Sequence, residues 1–357
     1  MLHVTRDNFH LFLAEHVYRS EIYRRSTRLC VSRLGLPVHA LSSRCAGTLS
    51  KAEARERRCQ LFDEEKKRQR SQLGRIEKIE VKYQAPDEEA VMVMNRNIST
   101  PYDCARHVSE SVAKTSGIAL VNGRVWDMHK PFTDNCELQF VTLQSPRVAA
   151  VNYAFWRTCS LILGAMVDTA FKDDIRVHLH SFPAPVIRSG SFTYDVFIDL
   201  PDWQPTVSEL RAMAASFCIL KNRGLLLERL EVPCNVALDM FQDNPFKSEQ
   251  IPNIAKNSNN NRVTLYRLGD HIDISKGPMV GNSGVIGRVS MSAVHKLVNG
   301  PVEGLYRIQG VALPKGILLN HFAFSILENR AKKLNTATWQ PHTEEETAAI
   351  NVTASLN

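Results

Sequence analysis

Few side chains in this chain have a type and spacing that could do chemistry, and each lacks a needed companion. His178 and His180 lie two apart in a stretch that reads as a strand, so both face one side and could share a metal. No third ligand stands nearby, and ordinary half-buried histidines are the expectation. His271 and Asp273 repeat that spacing and could form the base and orienting acid of a hydrolytic site, but no nucleophile accompanies them. Cys159 sits among apolar neighbours with no histidine within a helical turn, as a core thiol would. Gly281, Gly284 and Gly287 in GNSGVIG imitate a phosphate cradle. A true cradle follows a strand and opens a helix, whereas Val285 onward reads as a strand, so a turn is expected. Tyr153, Phe155 and Trp156 could stack on bases, yet such a cluster at a helix start reads as packing.

The cations carry a clearer signal. The chain has 357 residues and a net charge of +7, held entirely by its first fifth. Residues 1–50 contain 7 Arg, no Lys and 3 acids, and residues 51–78 contain 10 basic and 6 acidic side chains. The remainder is near neutral. An Arg-rich, Ser-rich, acid-poor leader has the composition of a mitochondrial transit segment, expected over 1–50. Residues 51–75 read as a solvent-exposed basic helical arm without Pro. Arg55, Arg57, Arg58, Lys66, Lys67, Arg68 and Arg70 are its candidates for RNA phosphate contact.

With 44% hydrophobic and 23% charged residues, the remainder is globular. No apolar run approaches the ~18 residues a membrane span needs. The eight cysteines are scattered singly with no C-x-x-C pair, which argues against a zinc ribbon, a redox motif or a disulfide scaffold. No metal and no other cofactor is expected.

The elements that must position these residues follow from local signals. Ile76, Ile79 and Val81 open a strand with Ala90 to Met94 as its partner, and Thr100-Pro101 starts a helix. Ile118 to Val121 turns at Asn122-Gly123, and Cys136 to Leu143 closes a β-grasp unit over 76–144. Residues 149–171 form a long, weakly charged helix that begins an α+β unit over 149–334. Strands are expected at 175–180, 191–200 and 225–232, and from 262 to 274. Another is expected at 285–298, turning at Asn299-Gly300 into a strand through Gly310. A T-x-x-E box at Thr206 opens one helix, Pro233 opens another that ends near Pro245, and a last helix spans roughly 318–334. The Asn-rich stretch 253–261 reads as a loop and 335–357 as a disordered tail.

Five stretches in order, TPYDCARHV (100–108), VNGRVWDM (121–128), TCSLILGA (158–165), SGSFTYDVFIDL (189–200) and IDISKGPMV (272–280), resemble the N-terminal half of threonyl-tRNA synthetases. The resemblance implies a TGS-like β-grasp domain followed by the synthetase's second additional domain, which carries tRNA editing. In that family the editing site is built from an H-x-x-x-H pair on the long helix and a Cys and His in a C-x-G-P-H-type segment. Matching those positions here places Arg157 and Leu161 at the two histidines, Ser275 at the cysteine and Met279 at the second histidine. All four are replaced, so the resemblance implies a retained fold without editing chemistry. The residues after 312 are too few for an adenylate-forming domain, so aminoacylation is not expected of this chain either.

The whole pattern also resembles a family of large-subunit mitochondrial ribosomal proteins that is similar to this synthetase half. That resemblance implies a non-catalytic component in the mitochondrial matrix, with large-subunit rRNA and neighbouring mitoribosomal proteins as partners and no small-molecule substrate. A free mitochondrial RNA-binding protein and an aminoacyl-tRNA hydrolase with a relocated site are the alternatives.

Overall fold

In a computed structural model the described residues are 50–84, 89–144, 149–258, 260–298 and 302–339. The expected transit segment up to residue 49, the linker at 145–148, the Asn299-Gly300 turn and the tail from 340 lie outside them. The chain begins with α1 (Lys51–Gln72), started by a capping box in which Ser50 Oγ accepts from the Glu53 amide and the Glu53 carboxylate accepts from the Ser50 amide.

The β-grasp unit follows. It contains β1 (Lys78–Gln84), β2 (Glu89–Asn95), α2 (Pro101–Val108), α3 (Glu110–Thr115), β3 (Ser116–Val121), β4 (Arg124–Trp126) and β5 (Cys136–Thr142). Its sheet runs β2-β1-β5-β3-β4, with β1 and β5 parallel through Val81↔Cys136 and the other pairs antiparallel. Thr100 caps α2 and Pro101 occupies its first position, as the sequence indicates. The single expected helix is divided at Ser109, whose hydroxyl accepts from the Val112 amide and starts α3. Asn122 and Gly123, at φ of 50° and 73°, make the tight turn between β3 and β4.

The α+β unit is built on α4 (Ala149–Ala170), which is buried on nearly every side. It packs on a four-stranded sheet of order β11-β12-β7-β6, from β6 (Val177–Ser181), β7 (Phe192–Ile198), β11 (Ile286–Lys296) and β12 (Leu305–Pro314), and against α5 (Val207–Asn222). A smaller sheet, β10-β9-β8, comprises β8 (Leu227–Pro233), β9 (Arg262–Leu268) and β10 (His271–Ile274). The single helix expected after Pro233 is replaced by two, α6 (Cys234–Met240) and α7 (Pro245–Lys256), so residues 253–256 are helical rather than loop. Pro245 starts α7 instead of ending α6. A proline costs nothing in the first turn, and Asn244 Oδ1 caps it by accepting from the Phe246 and Lys247 amides. The last helix, α8 (His321–Ala331), is shorter than expected.

Two findings change the expected boundaries. The β-grasp residues Ile118, Val141 and Leu143 share one apolar core with Val151, Ala154 and Phe155 of α4, so the two units are fused rather than strung together. Asn335, expected to open the disordered tail, is buried: its amide donates to Gln309 Oε1 and its side-chain nitrogen to Ser189 Oγ.

The basic arm is not free. Ala54, Arg58, Phe62 and Glu65 form one buried face of α1. Phe62 is fully buried among Leu230, Val232, Ile251 and Val263, beneath the small sheet. Lys51 Nζ donates to the carbonyls of Lys172 and Ile175 beyond the end of α4, each at 2.9 Å. The expectation of a solvated helix arose from its charge density. The structure differs because the surface beneath it presents acids at matching positions. Replacing Phe62 by Ala is expected to destabilise the protein by about 4 kcal/mol. Lys67→Ala should change stability by no more than about 0.5 kcal/mol. Urea unfolding of the two variants checks this.

Candidate functional site

Helix α4 and the segment 275–279 meet where the resemblance placed an editing site, and they bring the four matched positions into one neighbourhood. Arg157 lies at the wall of a cleft, with Nη1 3.5 Å from the Pro278 carbonyl. Leu161, one turn on, is fully buried in the apolar core. Ser275 Oγ accepts from the Gly277 amide at 3.3 Å, so the hydroxyl meets a backbone donor rather than a base. Met279 is fully buried, its sulfur 3.5 Å from Thr158 Oγ1. A guanidinium, an alkyl group, a hydroxyl and a thioether cannot shuttle a proton at neutral pH.

A group outside those four holds the segment in place. Asp127, buried at the end of the β4 hairpin, accepts at Oδ2 from the Tyr266 hydroxyl (2.6 Å) and the Met279 amide (2.8 Å), and at Oδ1 from the His129 amide (2.8 Å). One carboxylate therefore joins the β-grasp unit, β9 and the 275–279 segment. His129 Nε2 adds a second tie by donating to the Gly281 carbonyl at 2.7 Å. The packing is close enough to require glycine at 277. Its φ is +74°, and a Cβ there would overlap the Tyr266 hydroxyl.

The cleft, of about 620 Å³, is lined by the cations Lys130, Arg157, Arg229, Lys247, Arg262 and Lys276 and by two acids, Asp127 and Glu231. Glu231 binds Arg229 at 2.5 Å, and the backbone carbonyl of the same residue accepts from Arg262. Lys130 Nζ lies 3.9 Å above the Trp126 ring. Burial, reinforced by the charge of Arg229, lowers its amine's pKa. The wall thus carries more cations than acids, with Arg229 spent on Glu231 and Lys247 on the buried Asp273.

The remaining sequence candidates are distributed differently. Asp273 is fully engaged, accepting from Lys247 Nζ at 2.6 Å and from the Tyr194 hydroxyl at 2.5 Å inside the core. Burial would raise its carboxyl, but the Lys247 charge and these hydrogen bonds hold it below the usual range. His271 turns instead toward Asp168 on α4, Nδ1 to Oδ2 at 3.7 Å, and Arg55 of α1 approaches the same oxygen at 3.7 Å. Burial opposes ionisation of Asp168, yet His271, Arg58 and Arg55 outweigh it and bring the carboxyl down to about 2. His178 and His180 both pack against Phe246 of α7. Among the described residues no group of three His, Cys, Asp or Glu side chains is arranged to hold a metal. Cys159 is fully buried, and burial pushes its thiol well up. GNSGVIG makes a 3-10 turn, Ser283–Val285, leading into β11, as the sequence indicates. Phe155 is buried and Trp156 packs against the main core.

The seven cations proposed for RNA divide into two groups. Arg57 binds Asp239, Arg58 grips Asp243 with both oxygens at 2.8 and 3.0 Å, and Lys66 binds Glu228. Together with Arg55 these fasten α1 to its own globule. Arg68 pairs with Glu65 within the helix while remaining half exposed. Lys67 and Arg70 are exposed, three apart on the outer surface of α1. Charge density alone could not separate these groups, because the partners of Arg55, Arg57, Arg58 and Lys66 lie more than a hundred residues away. Sequence reasoning misses Asp127, Lys247 and Tyr194, and it weighs Asp273 only as a companion of His271, not of Lys247 and Tyr194. The one local signal was an acid set inside an otherwise apolar stretch, as in Val125-Trp126-Asp127-Met128 and Ile272-Asp273-Ile274.

Comparison with known proteins agrees with the fold. Residues 83–142 match the TGS domain family. The chain is 49% identical over 283 residues to the large ribosomal subunit protein mL39 of Drosophila melanogaster, covering 79% of this chain and 85% of that one. It is 32% identical over 219 residues to the cytoplasmic threonine–tRNA ligase 2 of Homo sapiens, covering 60% of this chain and 25% of the ligase. Against the threonine–tRNA ligase of Thermotoga maritima the identity is 30% over 197 residues, covering 55% of this chain and 28% of the ligase. The β-grasp and synthetase-like reading of the five stretches is met by these matches.

Two outcomes are expected. Asp127→Ala strands the Tyr266 hydroxyl and the Met279 amide, and should cost about 3 kcal/mol in denaturant unfolding. His180 is held neutral by burial and by the Lys247 charge, with its pKa lowered to about 4. The unfolded chain therefore takes up a proton near pH 6.5 that the folded one refuses, and stability falls between about pH 6.5 and 4. Melting temperature against pH should show this acid limb flattened in His180→Gln.

Proposed function

Because the chain belongs to the family of the large ribosomal subunit protein mL39, we propose that it is a non-catalytic structural component of the mitochondrial large ribosomal subunit, in contact with rRNA and with neighbouring ribosomal proteins. The carrying observation is the extent of the match, which covers 79% of this chain and 85% of the relative. The site geometry supports it. The positions that would handle protons in an editing enzyme are held by Arg157, Leu161, Ser275 and Met279, and the last of these is sealed inside the core.

On this reading the protein assembles and stabilises. Its fused units provide a rigid body, and α1, fastened on its inner face, presents Lys67 and Arg70 outward with Arg68 beside them. These three are the proposed phosphate contacts. Arg55, Arg57, Arg58 and Lys66 contribute mainly by holding the helix that carries them. The location is the mitochondrial matrix, where the mitochondrial ribosome works.

A sucrose gradient of mitochondrial lysate tests the assignment. Co-migration with large-subunit rRNA, unmoved by puromycin, is expected, and migration at the top of the gradient would refute it. Lys67→Glu combined with Arg70→Glu should make ribosome association less salt-dependent, lowering the slope of log affinity against log salt by about 2. Association unchanged at every salt concentration would remove α1 as the anchor. Mischarged tRNA should be deacylated no faster with the protein than without it.

A further inference from the structure

Helix α8 is apolar on two opposite sides. Phe324 and Leu327, with Ala331, pack onto Val311 and Leu313 of β12. On the other side Phe322 is 75% exposed and Ile326, one turn later, is 53% exposed. Leu318, in the segment leading into the helix, is 92% exposed and Leu319 is 38% exposed. Single exposed apolar residues need no explanation, but residues four apart on a helix adjoin and make a continuous patch. A helix apolar on both sides is normally covered on both. The charged side chains of the stretch 315–334 are Lys315, Arg330, Lys332 and Lys333 against Glu328 alone, with Arg330 donating to the Arg188 carbonyl. Lys315, Lys332 and Lys333 are exposed.

We propose that this face of α8 docks an amphipathic segment of a neighbouring protein of the large ribosomal subunit, apolar where it meets Phe322 and Ile326 and flanked by Asp or Glu facing the lysines. The inference rests on the ribosomal reading above and names the chemistry of one partner. The apolar centre favours protein over RNA: Leu318 and Ile326 offer no donor to a phosphate, and only Phe322 could stack on a base. The exposed lysines before and after α8 set the sign of the flanks, since like charges facing one another across an interface repel.

Photocrosslinking from p-benzoylphenylalanine at position 322, in intact mitochondria, identifies what covers the face. The expected product joins this chain to a large-subunit protein within a segment that alternates apolar and acidic residues. Phe322→Asp with Ile326→Asp should lower retention on the large subunit in high salt by at least about tenfold, as loss of a central anchor does. Its melting curve should match the wild type because both side chains are already exposed. Lys332→Glu with Lys333→Glu should weaken association mainly at low salt. Undiminished retention of the aspartate variant overturns the proposal. So does the absence of a crosslink, or a crosslink to rRNA, to a second copy or to residues 340–357 of the same chain. The wild-type gradient separates the two levels: wild-type protein absent from the subunit overturns both readings, whereas bound wild type with an equally bound variant overturns only this one.

Discussion

The Asp127 carboxylate is the contact on which the arrangement of the molecule depends. It lies at the end of a β-grasp hairpin, yet two of its three donors, the Tyr266 hydroxyl and the Met279 amide, belong to the other unit. A buried carboxylate with fewer donors would be costly, and fully satisfied it fixes orientation as well as contact. The shared apolar core provides attraction between the units but little direction, because hydrophobic burial is non-directional. Hydrogen bonds at Asp127, with the tie from His129 to Gly281, select one register of the 275–279 segment against α4.

That register leaves a cleft between α4 and the 275–279 segment. Its wall is cationic, and several of the lining side chains are paired within the fold, Arg229 with Glu231, Lys247 with Asp273 and Asp127 with Tyr266. Ionisable groups that are well buried nearby serve architecture. Lys247, Asp273 and Tyr194 tie α7, β10 and β7 together, and the paired Asp195 and Arg307 link β7 to β12 within the larger sheet. A strongly perturbed carboxylate is therefore no sign of catalysis here. Asp168 is held down to about 2 against its burial by His271 of β10 and by Arg58 and Arg55 of α1.

Helix α1 shows how a charge-dense segment can be fastened to its own globule. Its cations divide into two sets: Arg55, Arg57, Arg58 and Lys66 meet Asp168, Asp239, Asp243 and Glu228, while Lys67 and Arg70 are exposed. Phe62 supplies the apolar centre of this attachment, with Arg267 stacked on its ring. Exposed ion pairs each add little to stability, so the buried phenylalanine contributes most of the hold while the pairs set the helix's rotation and register.

Local signals in the sequence determined a good deal. Capping boxes at Thr100 and Thr206, the Asn122-Gly123 turn and the long apolar helix each depend on neighbours within a few residues, and each is found where those residues indicate. That Arg157, Leu161, Ser275 and Met279 bring no imidazole, carboxyl or thiol is legible too, because acid–base capacity is a property of the side chain itself. Pro245 was ambiguous: a proline can end one helix or begin the next, and Asn244 settles that only once its side chain caps α7. What the tertiary structure alone decided is pairing across distance. Which arginines are spent on Asp239 and Asp243, that Asp127 meets Tyr266 across 139 residues, and that α8 leaves Phe322 uncovered all depend on surfaces the fold brings together. The physical reason is that charge and hydrophobicity are one-residue properties, whereas satisfaction and burial belong to pairs and surfaces.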